Sequence, residues 1–519
     1  MKTPRFSLAI VCLLPALALL PVSKEIIKTS HSGGLKVVLD FFMAALSPSL
    51  DQTVILNAWQ GLKITIATAS LSWIFSLLIG TLLGILSSDI FWKIFIGNKS
   101  IGVLVRGLLA VPRAIHEVVW GLLLLQFFGL SPWVAIIAIT IPYSSLMARV
   151  IANQLDTLNN TSLIALTQCG AGGISSFITA LIPPMIPVFI SYSCYRLECA
   201  LRGATLMGIF GMGGIGTELQ LTLQSLEFRE LWTSLWMLAA VIFFLEYLIN
   251  FIRNIDLNLR RDKYIWPINI TTIALIFAVI LICLQSLGLQ INNNLTLHAI
   301  DFPRLIEIKE AFNELPILNL VHSTIILTLM SAGIAIGVPP IALMLWPNKM
   351  GGTILGFIWT FLRLFPSPLI VLLILLCSTP NISVGALALG LSNLGVMGRL
   401  LKEDLNKQEN STFKAIKSLG ATNQIAWLYG KLSPQSKRYL AFAAYRTDVI
   451  LRETALIGVI GGVGLGWQLQ ESLSSFNWAQ VSVITFVFIT LTLIGEALSD
   501  KLSKYWISKT TDTSLRFSF

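Results

Sequence analysis

The chain has 519 residues and a formal net charge of +10; 55% of its residues are hydrophobic and only 12% are charged, with a mean hydropathy of +0.78. Soluble domains carry about 25% charged residues, so this composition excludes a soluble globular protein and places the chain in the membrane class. The basic excess is a topology signal and not a nucleic-acid footprint, because most of it stands where helix ends would meet the cytoplasm.

From the N-terminus, Lys2 and Arg5 precede an apolar run that starts at Phe6 and contains Ala16-Leu17-Ala18. That pattern fits a cleavable signal peptide or a first membrane helix. The helix is preferred, because residues 266–285 supply a counterpart later in the chain and cleavage would leave unequal halves. Uncharged runs long enough to cross about 30 Å of hydrocarbon recur at residues 64–88, 118–148, 264–300, 323–348, 364–398 and 478–495. Several could hold two spans, with breaks expected near Gly129-Leu130-Ser131-Pro132 and Ser378-Thr379-Pro380. Six helices per half are expected, about 12 in all at about 20 residues each.

The halves are copies. Asn160, Ala165, Gly170, Tyr195, Arg196, Arg202, Gly208, Gly211, Gly214 and Gly216 return as Asn410, Ala415, Gly420, Tyr445, Arg446, Arg452, Gly458, Gly461, Gly464 and Gly466, each 250 positions on. The offset holds from Arg113 and Arg363 to Glu246 and Glu496, and a repeat this long is a duplicated domain. Upstream, Ile64-Thr65-Ile66 best matches Leu327-Thr328-Leu329, which implies extra residues in the first half between its second and third spans. An even number of spans per half orients both copies alike. The expected fold is therefore an all-α membrane protein of two tandem parallel six-helix repeats, residues 1–260 and 261–519. The basic residues agree: Lys2 and Arg5, then Arg253, Arg260, Arg261 and Lys263, then Lys501, Lys504, Lys509 and Arg516 would all be cytoplasmic.

Between the fourth and fifth spans of each half runs a cytoplasmic loop, residues 159–184 and 410–434. Each opens on Asn, Ser or Thr as helix N-caps, carries Ala165 or Ala415 in a short helix, meets Gly170 or Gly420, and reaches Pro184 or Pro434 before the next span. Glycine permits the reversal, and proline starts a helix without an orphaned N–H. Recurrence of this punctuation marks a docking element for a cytoplasmic partner in preference to a bare connector. Asn159 and Asn410 also match the glycosylation acceptor pattern, but on the cytoplasmic side capping is the better reading.

The fifth helix of each half is charged. Glu198 and Arg202, like Asp448 and Arg452, stand four apart and can neutralise each other on one face. Arg196 and Arg446, two residues before the acids, point away from them and have no partner in the same helix. They must find a carboxylate on another helix, a water-filled path or an anionic substrate. The planar fork of a guanidinium suits the oxygens of a phosphonate or phosphate ester, and a structural or gating ion pair is the alternative. Gly211-Met212-Gly213-Gly214-Ile215-Gly216 matches G-x-G-x-x-G, yet a charged membrane helix and not a strand precedes it, so it is no dinucleotide site. Gly211, Gly214, Gly461 and Gly464 are expected to allow close backbone approach or a bending gate.

These residues resemble the permeases of ABC importers. Ala-x4-Gly with Pro before a span is similar to their coupling loop. Tyr195-Arg196-Leu197-Glu198, Arg202, Gly208 and the glycine run, repeated from Tyr445 to Gly466, are similar to the phosphonate-uptake permeases. The glutamate usual in that loop is absent, with Ile164 and Lys414 before the alanines, and halves that ordinarily pair as separate chains are fused. The resemblance implies a MetI-like permease of the bacterial cytoplasmic membrane, with two cytoplasmic ATP-binding subunits under the loops and an extracytoplasmic substrate-binding protein. It implies no cofactor on this chain, ATP being held by the partner, and a phosphonate or related phosphorus oxyanion as cargo. Phosphate, phosphite, an amino acid or a quaternary amine remain alternatives. An ion-coupled secondary carrier would share the topology but leave the paired loops without a purpose.

The candidate pathway or gate residues are Arg113, Arg196, Glu198, Arg202, Arg363, Arg446, Asp448 and Arg452. No G-x-x-x-x-G-K-[ST] loop occurs, so ATP hydrolysis belongs to a partner. Cys12, Cys169, Cys194, Cys199, Cys283 and Cys377 have no metal or disulfide spacing and are assigned to packing. His116-Glu117, replaced by Pro366-Ser367 in the second copy, is read as an asymmetric packing pair before a proton-handling site.

Overall fold

The computed structural model describes residues 8–158, 160–254, 277–288, 303–346, 349–407 and 411–508. Lys2, Arg5, Asn159, Arg260, Arg261, Lys263, residues 266–276, Asn410, Lys509 and Arg516, on which parts of the sequence reading rest, lie outside the described residues. Regular structure among the described residues is helical, apart from one isolated bridge between Ser30 and Ser378. Hydrocarbon offers no water to a backbone, and helices satisfy their own. Among the described residues, seven helices are long and apolar enough to cross a membrane, and three bent pairs raise the number to 10 if each is one span. The protein is a multi-pass membrane protein.

In chain order, α1 (Leu8–Ala16), α2 (Leu19–Thr29) and α3 (Ser32–Ala44) precede the first repeat. The repeat contains α4 (Gln52–Leu86), α5 (Asp89–Phe95), α6 (Ser100–Ala114), α7 (Glu117–Phe128), α8 (Pro132–Thr157), α9 (Thr161–Gln168), α10 (Gly173–Ile209), α11 (Ile215–Gln224) and α12 (Phe228–Asn254). After α13 (Phe277–Ser286) and α14 (Leu305–Glu314) come α15 (Ile317–Leu345), α16 (Lys349–Leu364), α17 (Ser367–Leu375), α18 (Ile382–Lys407) and α19 (Ser411–Ser418). The chain continues through α20 (Asn423–Trp427), a π-helical turn (Leu428–Leu432), α21 (Ser433–Gly461), α22 (Gly464–Ser474) and α23 (Trp478–Ser508). α8 and α18 begin 250 residues apart, as do α9 and α19, so the sequence repeat is a repeat of elements.

The protein forms two compact units, one on residues 44–300 and the other on residues 1–43 with 301–515. These differ from the halves of the sequence repeat, because α1, α2 and nearly all of α3 join the second repeat and α13 joins the first. α1 packs on α15, where a Cβ on Gly333 would stand 2.7 Å from the Pro15 carbonyl oxygen. In the other unit, Cys283 of α13 is packed with Ala67, Leu71 and Ile136.

α4 lies along α8, and its buried positions include Gly61, Thr65, Thr68, Ser72, Ser76, Gly80 and Gly84. Small residues of this kind bring membrane helices close, where van der Waals packing replaces the hydrophobic effect. The upstream register departs from the sequence match. Thr65 Oγ1 accepts from the Ile215 N–H at 2.9 Å and Thr324 Oγ1 from the Leu465 N–H at 3.1 Å, so Thr65 corresponds to Thr324 and not to Thr328. Residue 328 lies one turn along the same face, which lets a pattern match slip to it.

The extra residues of the first repeat are α5 and its flanks. α5 seats Ile90 against Leu163, Phe177 and Leu181. Its start is anchored by Asp156, which accepts from Ser88 Oγ at 2.8 Å and from the Ile90 N–H at 3.2 Å, and which pairs with Arg106.

Breaks at residues 129–132 and 378–380 are present between α7 and α8 and between α17 and α18. Two further bends, 83° between α6 and α7 and 88° between α16 and α17, have local causes. His116 caps α7 with extended backbone, its Nδ1 accepting the Val118 N–H at 3.3 Å, and Pro366 caps α17. The prolines after the first coupling loop do not begin a span as expected. Pro183, Pro184 and Pro187 lie inside α10, a continuous helix of 37 residues that starts at Gly173. Only Pro434 stands in a first turn, that of α21, directly after the π turn. Freed backbone groups in membrane helices are re-satisfied by neighbours and by local π adjustment, so the helix survives its prolines.

Candidate functional site

α10 buries Arg196 and Glu198, and α21 buries Asp448 and Arg452. Arg202 donates to Glu198 Oε1 at 2.8 Å, and Arg452 pairs with Asp448, each pair one turn apart as the spacing requires. The second copy is deeper: the Arg452 side chain is 9% exposed and also reaches Glu496 of α23 at 3.3 Å, which makes a buried ion triad. The Arg202 side chain keeps 29% of its exposure.

Arg196 and Arg446 hold the same place in the repeat with different neighbours. The buried Arg196 guanidinium lies 5.0, 5.1 and 5.8 Å from the ring centres of Tyr192, Tyr143 and Tyr195, and its Nε donates to the Tyr192 hydroxyl at 2.8 Å. Aromatic faces attract such a charge. The Tyr143 hydroxyl stands 3.3 Å from Glu117 Oε1 and 3.2 Å from the Cys199 carbonyl oxygen. Glu117 Oε2 lies 3.5 Å from His116 Nε2. His116 Nδ1 accepts from backbone, which leaves Nε2 facing the Glu117 carboxylate.

Around Arg446 the position of Tyr143 is taken by Asn393. Arg446 Nε donates to Asn393 Oδ1 at 2.6 Å, Asn393 Nδ2 donates to Glu453 Oε2 at 2.7 Å, and Arg446 lies 3.6 Å from Glu453 Oε1. The expectation that neither arginine finds a partner on its own helix is corrected. Tyr192 stands one turn before Arg196 and Glu453 two turns after Arg446, both on the arginine's face. Arg113 and Arg363 stand half-buried in the last turns of α6 and α16, at the two sharp bends.

The glycine runs differ by one position. Gly211 and Gly214 have φ of +83° and +98°, and Gly464 has +70°. Gly461 instead ends α21, and the left-handed residue is Gly462 (φ +68°), whose N–H closes on the Gly458 carbonyl at 3.1 Å. The internal glycine is Gly213 in one copy and Gly462 in the other, and the turn moves with it.

In the loops, α9 and α19 end at Gly170 and Gly420, with φ of +85° and +84° and open space where a Cβ would stand. Ala165 and Ala415 are exposed on those helices. Asn160 occupies the N-cap of α9 but makes no side-chain capping bond there. α9 is seated by buried Leu163, packed with Ile90 of α5 and Phe177 of α10, whereas α19 buries nothing. Lys414 and Lys417 are exposed, while Lys431 Nζ lies over the rings of Trp427 at 4.9 Å and Phe413 at 5.7 Å. Crosslinks from α19 to a cytoplasmic partner should therefore weaken as salt rises, and those from α9, which rest on apolar area, should not. Identical profiles across a salt series would refute this inequality.

Tyr143, Asn393, Gly203 and Glu453 escape a reading that follows identities between copies, because the copies differ there. Aligned at the 250-residue offset, Tyr143 matches Asn393, Gly203 matches Glu453, and Glu117 matches Ser367. The signal that finds them is coordinated change around an unchanged arginine.

No protein-family profile matches the chain, and no solved structure matches it. Among curated proteins it is 22% identical over 425 residues to a phosphate-import permease protein, PhnE, of Mycolicibacterium smegmatis, covering 78% of this chain and 77% of that one. It is 26% identical over 232 residues to HtxC of Stutzerimonas stutzeri, provisionally named a phosphite transport system permease protein, covering 44% of this chain and 80% of the relative. A provisionally named cryptic phosphonate transport system permease protein of Escherichia coli is 27% identical over 121 residues, 99% of its length. A multi-pass helical chain with these relatives is a transport permease. Its relationship is to the permeases of phosphonate, phosphite and phosphate transport systems. The first match is long enough to span both repeats, and the second has the proportions of one half against two.

Proposed function

We propose that the chain is a transmembrane permease of an ATP-driven ABC importer, with both six-helix repeats, residues 1–260 and 261–519 and about 12 spans, in one polypeptide. Two cytoplasmic ATP-binding subunits dock, one under α9 and one under α19, and an extracytoplasmic binding protein delivers a phosphonate or related phosphorus oxyanion. The observation that carries this reading is the duplicated exposed helix ending on an open, positive-φ glycine. The cargo class rests on relatives named for phosphate, phosphite and phosphonate transport. It is supported by a guanidinium at the same place in both repeats, a group whose fork suits phosphorus oxygens.

ATP binding to the partners draws the two loops together and shifts the membrane helices between inward- and outward-facing states. Arg113, Arg196, Glu198, Arg202, Arg363, Arg446, Asp448 and Arg452 line or hold the pathway, and Gly211, Gly214, Gly461 and Gly464 stand at its gate. Purified alone, the chain should hydrolyse no ATP. With its cognate ATPase and binding protein, hydrolysis should appear and rise when a phosphonate is added. Leucine at Gly170 or Gly420 strains the turn by about 1 kcal/mol or more, so uptake should fall while the membrane helices stay assembled. Transport in vesicles that lack ATP, driven only by a proton or sodium gradient, would overturn the importer in favour of a secondary carrier.

A further inference from the structure

We infer that each repeat places one carboxylate beside its pathway arginine, and that Glu117 of α7 and Glu453 of α21 are counterparts reaching the same spot from different helices. The inference rests on the pathway reading of Arg196 and Arg446. In the first repeat, a Cβ on Gly203 would stand 3.5 Å from Glu117 Oε1 and 3.4 Å from the Tyr143 hydroxyl. The Glu117 carboxylate thus occupies the space into which a side chain at position 203 would grow. In the second repeat that position is Glu453, and the position of Glu117 is Ser367, which carries no charge.

The bridging residue changes in step. Tyr143 offers its ring to Arg196 at 5.1 Å and its hydroxyl to Glu117 at 3.3 Å. Asn393 offers its carbonyl oxygen to Arg446 at 2.6 Å and its amide to Glu453 at 2.7 Å. Both repeats therefore build the same chain of groups, an arginine on the fifth helix, a polar residue on α8 or α18, and a carboxylate. Two carboxylates in that space would repel, and none would leave the guanidinium's surroundings uncompensated inside the membrane. The copies accordingly hold one each. Glu117 and Glu453 act as positioning residues, which fix the bridging side chain and through it the arginine that meets an oxyanion.

The test is relocation, with uptake kinetics and detergent size exclusion measured together on the reconstituted complex. Glu117→Ser should lower maximal uptake about tenfold, and Gly203→Glu in the presence of Glu117 should do the same by crowding two charges. The combined variant Glu117→Ser, Gly203→Glu, Tyr143→Asn should recover to within about threefold of wild type, which a mere packing role for Glu117 does not predict. The reciprocal exchange in the second repeat is Glu453→Gly, Ser367→Glu, Asn393→Tyr, and it should recover likewise. No recovery in either exchange, or failure of both to assemble, overturns the inference, since counterparts must be tolerated in both places. Absence of uptake of phosphonate, phosphite and phosphate alike by the wild-type complex overturns the importer reading instead.

Discussion

Replacing Arg452 with Gln should abolish assembly of the permease, whereas the same change at Arg202 should leave an assembled protein. The Arg452 side chain is 9% exposed and serves two carboxylates, Asp448 at 1% and Glu496 at 9%. Removing it strands two negative charges in a membrane-buried site. Breaking a buried pair costs about 3–5 kcal/mol, a large share of the roughly 5–15 kcal/mol that holds a typical protein folded. Arg202 keeps 29% of its side-chain exposure and pairs with one carboxylate, Glu198 at 8%, so its loss strands one charge where the loss of Arg452 strands two. Size exclusion in detergent and thermal unfolding of both variants make the comparison, and equal losses would show that depth of burial does not decide the outcome.

Alanine at Gly464 should be the most damaging of three substitutions in the glycine runs, and alanine at Gly461 the mildest. Gly464 combines a φ of +70° with a Thr324 hydroxyl 2.6 Å from where its Cβ would stand. Backbone strain of about 1–2 kcal/mol adds there to overpacking of about 1–3 kcal/mol. The clash also displaces Thr324, whose hydroxyl accepts from the Leu465 N–H of α22. Gly211 has a φ of +83° but open space around it, so alanine meets the backbone strain alone. Gly461 is helical, with Ile457 at an ordinary 3.9 Å, and alanine there should change stability by less than about 1 kcal/mol. Unfolding midpoints and uptake should rank the variants in that order. A Gly461 variant as damaged as the Gly464 one would mean that the turn is not where its dihedral angles place it.

What the sequence by itself determined here is what one-dimensional physics controls. Composition and the long uncharged runs made a multi-pass helical protein, because hydrocarbon leaves the backbone few other ways to satisfy its hydrogen bonds. The 250-residue offset returned as repeated elements, α8 with α18 and α9 with α19. Spacing alone placed Glu198 with Arg202 and Asp448 with Arg452, since a 3.6-residue period decides which side chains share a face. The reversals at Gly170 and Gly420 were legible from their punctuation.

Other features were decided only by tertiary structure. They include the repeat that α1 and α13 each join, the turn of α15 that answers Thr65, and whether a proline begins a span or lies inside one. The partners of Arg196 and Arg446 belong here too. Each depends on a meeting of segments far apart in the chain: Pro15 with Gly333, Thr65 with Ile215, Tyr143 with Glu117, Asn393 with Arg446. Periodicity states which face a helix presents and is the same for every neighbour that could accept that face. The choice among neighbours is made by close packing of particular side chains, which is a property of three dimensions.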